Sequence, residues 1–266
     1  MELLSYDFVQ RGIVTGILVA LASSVAGVFL ILKRMAFLGA GLSHASFGGI
    51  ALAMLIGMEP FLFTALFTLM VGNLVQFLSS QKRVPGDTAI ALVFSGGVAL
   101  AVVVLGMVKG FGENVFGYLF GSILMVTEEE LNLTLLLTLL TLTFFGLFYK
   151  KLILVTFSEE VARLRGIRIT LLNHTFISVS SIVIVLSVKA VGVILASSML
   201  VVPALASLLI ARSFLMSVIL SALISIASVV IGLGISFYYN LPPSGGIVGV
   251  MILFFATAFV IRGFRH

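Results

Sequence analysis

Three observations predict an all-α integral membrane protein, with about nine transmembrane helices in one bundle and a single domain over residues 1–266. Only 9% of the chain is Asp, Glu, Lys or Arg and 61% is hydrophobic, whereas a soluble domain coats itself with about a quarter charged residues. Apolar runs long enough to cross a hydrocarbon core of about 30 Å recur from end to end. These runs are continuous, which fits helices, since barrel strands would alternate over about ten residues.

The first run ends at Lys33 and Arg34, and a second follows at once without a small-residue cleavage site. It is therefore read as a span and not as a removed signal. Cysteine is absent, so disulfides, thiolate metal sites and thiol switches are excluded. Gly, Pro and charge divide the rest, giving spans at 12–32, 37–56, 61–78, 88–108, 131–149, 170–188, 191–211, 216–238 and 247–261. The run at 111–126 is too short for a crossing and is expected to be re-entrant or interfacial.

Alternating spans assign every basic residue to a side. With the C-terminus cytoplasmic, the inner face collects Lys33, Arg34, Lys82, Arg83, Lys150, Lys151, Arg163, Arg165, Arg168, Arg212, Arg262 and Arg265, leaving Arg11, Lys109 and Lys189 outside. That bias obeys the positive-inside rule, and an even number of spans would spoil it. The basic residues are thus accounted for by topology and not by nucleic acid. The predicted chain is N-out and C-in, a multi-pass protein of the cell (inner) membrane.

Within the second span, MAFLGAGLSHASFGG sets His44 among small residues: Ala40 and Gly48 one turn away, with Gly41, Ala45 and Gly49 beside them. Small-xxx-small spacing lets helix backbones approach closely, and an ionisable group at membrane depth is a candidate functional site. The helix is either a packing seam or a pathway wall. Asn73 and Gln76 share a face of the third span, as interhelical glue or as pathway lining. In the seventh span Pro203 frees the carbonyl near Met199, and Ser197, Ser198 and Ser207 stand ready to satisfy the backbone or face water. A broken helix is one reading of that span and an inert kink the other. His174 is expected at an interface and His266 is terminal.

One inner loop, 150–168, is long enough to hold structure of its own. Thr156 and Glu159 have capping-box spacing and Gly166 supplies a stop, which predicts a short helix at about 156–166. Phe157, Val161 and Leu164 fall on one face, with Glu159, Glu160, Arg163 and Arg165 on the others. Its charge is nearly balanced, unlike that of surface-binding helices. A helix that docks in a groove of a soluble subunit is predicted.

LKRMAFLGAGLSHASFGGIALA, DTAIALVFSGG, YLFGSIL, FSEEVARLRGI, SSMLVVPALASLL and YYNLPPSGGIVGV occur in that order along nearly the whole chain. In these pieces the sequence resembles the membrane permease subunits of ATP-binding cassette importers for zinc, manganese or iron. The resemblance implies a homodimeric or paired permease that receives metal from an extracytoplasmic binding protein. Two cytoplasmic ATPase subunits would drive it, seated on the helix with Glu159, Glu160 and Gly166. ATP is expected on those partners, because this chain has no phosphate-cradling G-x-x-x-x-G-K-S/T loop. The protein is therefore not expected to be an enzyme, nor to hold a permanent cofactor.

One departure bears on the site. Many members of that family have an acidic residue four positions before the histidine, where this chain has Ala40. His44 is then the one expected ligand, a transient one, for a transported divalent cation, with zinc or manganese the expected cargo. Ser43, Ser46, Asn73, Gln76, Ser197 and Ser198 are expected to line the path, and Lys109, Glu128, Glu129 and Glu130 to meet the binding protein through charge. An ion-gradient transporter is the rival reading, but it would place carboxylates inside spans, and none falls there. A membrane assembly protein would explain the small-residue seams but neither the docking helix nor the histidine.

Overall fold

The computed structural model describes residues 6–81, 84–107 and 126–264. Lys82, Arg83, Lys109, Arg265, His266 and the predicted re-entrant run up to residue 125 lie outside the described residues. Ten helices are described: α1 (Asp7–Leu32), α2 (Leu38–Ile56), α3 (Pro60–Ser80), α4 (Gly86–Met107), α5 (Glu128–Phe157), α6 (Glu159–Leu164), α7 (Ile169–Val191), α8 (Val193–Ile210), α9 (Phe214–Tyr239) and α10 (Pro243–Gly263). All but α6 are long and apolar enough to cross a membrane, and these nine coincide with the nine predicted spans.

The connections are set by local chemistry. Arg34, at φ 59°, and Gly57, at φ 72°, adopt the left-handed conformation that stops α1 and α2. Each is followed by the paired backbone bonds of a Schellman turn, Met35 N–H to the Leu30 carbonyl and Met58 N–H to the Ala53 carbonyl. Gly192 alone separates α7 from α8, at φ 85°. Glu59 caps α3 by accepting from the Phe61 and Leu62 N–H groups.

Helices α1, α2, α7 and α8 are the most buried and form the centre of the bundle. Around them, α3 packs on α2 and α7, α5 on α1, α9 on α1 and α8, and α10 on α8 and α9; α4 packs on α2 and α3. The centre is joined at one end by an aromatic cluster in which Phe29 meets Phe145 at 5.2 Å, Phe214 at 4.9 Å and Phe176 at 6.4 Å. Elsewhere glycine permits contact of backbone with backbone. A Cβ on Gly97 would stand 2.7 Å from the Ala45 Cα, one on Gly48 2.7 Å from the Gly97 carbonyl oxygen, and one on Gly27 would collide with the Leu200 carbonyl.

One expectation is corrected, that of where the short helix begins. The loop predicted at 150–168 is not free from residue 150: α5 continues to Phe157 because Leu152 and Val155 are buried and extend its core-facing side. At 30 residues and about 1.5 Å per residue, α5 projects well past the hydrocarbon core. Thr156 therefore lies inside α5 and does not cap the short helix. Ser158 caps it instead, its hydroxyl accepting from the Val161 N–H at 3.3 Å. Of the two readings of the span around Pro203, the broken helix is not the one observed, since α8 runs unbroken through Pro203.

Candidate functional site

On α2, with 3.6 residues per turn, Gly39 faces Ser197 and Leu200 of α8, while Gly41 and Gly48 face Ile90 and Gly97 of α4. Ala40 and His44 project between those two directions and are half-buried. The His44 ring lies edge-on to Phe94, centroids 4.4 Å apart. Ser197, Ser198 and Val201 of α8 are likewise half-buried. A stripe on the central helix is therefore left partly open between α4 and α8, with an imidazole on it. Next to His44 the Ser43 hydroxyl is fully buried and makes no hydrogen bond among the described residues.

The other predicted lining residues separate into three groups. Ser46 is buried with its hydroxyl on the Leu42 carbonyl, 2.8 Å, and on Thr68 of α3, 2.9 Å. Asn73 donates to the Leu69 carbonyl and to Ser178, both at 2.9 Å, and its Oδ1 lies 2.8 Å from His174 Nδ1. With the amide nitrogen already donating, that last contact has His174 Nδ1–H donating to Oδ1. These side chains join α2 to α3 and α3 to α7, so they are glue between helices. Ser197 and Ser198 return their hydroxyls to the Ile194 carbonyl, at 3.1 and 3.2 Å, and Ser207 bonds the Ala204 carbonyl. Gln76 opens instead onto a cavity of about 590 Å³ at the end of the bundle where α6 lies.

Sequence reasoning used Lys33 only for topology, but it stands at the centre of that cavity. Just beyond α1, its ammonium donates to Asn173 Oδ1 at 2.6 Å and lies 5.2 Å from the centre of the Phe176 ring. Burial lowers Lys33 from 10.5 to about 8, offset in part by the Glu159 carboxylate of α6. Ser79, Asn173 and two further cations, Arg34 and Arg163, also line the cavity, so the ends of α1, α3 and α7 meet the short helix beside the Lys33 ammonium. A lysine so close to a predicted helix end reads as a solvated charge; only tertiary packing buries it.

Helix α6 itself matches the predicted amphipathic pattern. Phe157, Val161 and Leu164 are exposed, Leu164 at 88%, while Ala162 is the buried contact. Glu159, Glu160 and Arg163 are exposed around them. Gly166, at φ 73°, ends the helix, with Gly166 N–H on the Arg163 carbonyl and Ile167 N–H on the Ala162 carbonyl. At the opposite end of the bundle Glu128 and Glu129 are exposed. Glu130 is committed: it closes a capping box with Thr127 and pairs with Lys189 at 3.2 Å, whose ammonium also sits 4.1 Å from the Phe61 ring centre. Lys109 lies outside the described residues.

Nine apolar spans packed in one bundle among the described residues define a multi-pass membrane protein. Residues 5–262 match the model of the ABC 3 transport family, and the chain belongs to that family. Its ATPase is accordingly a separate component of the transporter. The chain is 29% identical to the manganese transport system membrane protein MntC of Listeria monocytogenes, covering 97% of this chain and 92% of that one. It is 31% identical to the MntC of Halalkalibacterium halodurans, over 97% and 88%. Among solved structures, PsaBC from Streptococcus pneumoniae in complex with Fab is similar, at 28% identity and a TM-score of 0.85, covering 97% of this chain and 92% of that one.

Proposed function

We propose that this permease moves manganese into the cytoplasm, with the N-terminus outside and α6 on the cytoplasmic side, where the ATPase seats. The carrying observation is α6, a capped helix whose Val161 and Leu164, with Phe157 at the adjoining end of α5, present an uncovered apolar face at the basic end. Manganese is supported by the relatives named for its transport, and zinc is the next cargo on the ligand chemistry of imidazole. His44 is the transient ligand. Among the described residues no three His, Cys, Asp or Glu side chains converge, so the remaining ligands would be carbonyls, water or a second copy of the chain. Pairing across the Ala40–His44 stripe would supply a second imidazole and cover the half-open face. A few weak ligands suit a site that must release its cargo.

The cation would arrive from an extracytoplasmic binding protein at the end marked by Glu128 and Glu129. Movement of the ATPases would reach the spans through α6, whose Glu159 faces Lys33 and thereby the ends of α1 and α7. Rigid-body rocking of the paired bundles then exchanges the open side. Coexpression with a candidate ATPase subunit tests the reading. Stable co-purification, with ATP hydrolysis stimulated by manganese more than by magnesium alone, is expected. An ATPase that neither co-purifies nor responds to manganese, zinc or iron overturns it.

A further inference from the structure

A groove of about 400 Å³ runs between α5 and α7, close to the turn that stops α6. Its rim carries Lys151, Arg165 and Arg168, and its wall is made by Phe144, Phe148 and Leu171. The three cations are exposed and none has an acidic partner in an ion pair among the described residues. Lys151 is instead parked 5.4 Å from the centre of the Phe148 ring. Three like charges at one mouth repel each other, and nothing in the described chain neutralises them. Phe144 and Phe148 belong to the membrane-spanning part of α5, and Leu171, 61% exposed, to the first turn of α7. A soluble subunit cannot reach down that wall, whereas an acyl chain lies along it naturally.

We infer that this groove binds an anionic phospholipid, its phosphate on Lys151, Arg165 and Arg168 and an acyl chain against Phe144, Phe148 and Leu171. Basic pockets between spans at a membrane surface recognise anionic headgroups in this way. Because Arg165 lies in the stop of α6 and Arg168 immediately precedes α7, the lipid braces the segment through which the ATPase acts. The inference rests on the proposed orientation only in assigning the inner leaflet; the chemistry of the groove is independent of it.

Native mass spectrometry of the permease–ATPase complex, released from nanodiscs holding equal phosphatidylglycerol and phosphatidylcholine, tests this directly. Each cation contributes about fivefold to anionic-lipid binding, so retention of phosphatidylglycerol over phosphatidylcholine should fall on the order of a hundredfold in a Lys151→Gln/Arg165→Gln/Arg168→Gln variant. A Lys150→Gln/Arg262→Gln variant, whose cations lie off the groove, should keep the preference. Leu171→Trp, which fills the wall and leaves the cations intact, should lower it. The inference is overturned if the wild type shows no preference, if the triple variant retains the lipid, or if that variant loses the ATPase while still holding the lipid. The last outcome would mean that the cations dock an acidic surface of the partner. Manganese uptake followed alongside separates the two readings, because lipid retention does not depend on the cargo.

Discussion

The His44 ring lies against Phe94, and among the described residues no group of three His, Cys, Asp or Glu side chains forms a ligand set. Restoring an acidic side chain one turn away should therefore strengthen binding: Ala40→Asp is expected to raise manganese affinity about tenfold or more, measured by equilibrium dialysis of the complex. Unchanged affinity would mean that the stripe does not hold the ion. Lys33 carries a pH prediction. Its value is held at about 8 in the fold against 10.5 in the unfolded chain, so between those limits the unfolded chain binds more protons. Stability should rise with pH across that window and carry the full penalty of the buried ammonium below it. Thermal midpoints of the wild type against Lys33→Met, followed across the window, should converge as pH rises; parallel curves would contradict the burial of the charge.

At the scale of elements, backbone proximity and the short helix give separate predictions. Gly27 lies against the Leu200 carbonyl, so Gly27→Ala should cost about 1–3 kcal/mol through overpacking, seen as a lower thermal midpoint of the purified permease. Leu164 is the most exposed apolar residue of α6. As an interface anchor worth about 2 kcal/mol, it should weaken ATPase binding about 30-fold when changed to Asp, with no change in the permease's own melting. Equal co-purification would remove α6 as the docking element. All nine spans and the stop at Gly166 were legible in the sequence, because hydropathy and glycine act locally. Capping-box spacing points to Thr156, which has Glu159 three positions on, and not to Ser158, which has Val161 there; only burial of Leu152 and Val155 shows that α5 runs past Thr156. Asn73 with His174, and Lys33 with Asn173, are pairs a hundred or more residues apart, which no local pattern announces. His44 was visible as an ionisable residue in an apolar run, but its half-open position depends on where α4 and α8 pack.

For the whole molecule, the basic end carries α6 and the opposite end carries Glu128, Glu129 and the Lys189–Glu130 pair. Because the chain has no cysteine, single cysteines at Glu160 and Asn240 report orientation without background. An impermeant maleimide applied to intact cells should label position 240 and spare position 160; the reverse pattern would place α6 on the wrong side for an ATPase. The account as a whole stands on ATP-driven transport through the α2 stripe. Its most direct test is manganese uptake into proteoliposomes holding the permease and its ATPase, comparing the wild type with His44→Ala and Ser46→Ala. Loss of a supporting residue at a metal site costs about 10- to 100-fold, and loss of the ligand itself should cost at least as much. His44→Ala should therefore abolish most ATP-dependent uptake while Ser46→Ala, which touches only helix packing, stays within a few-fold; wild-type uptake by His44→Ala would contradict the account.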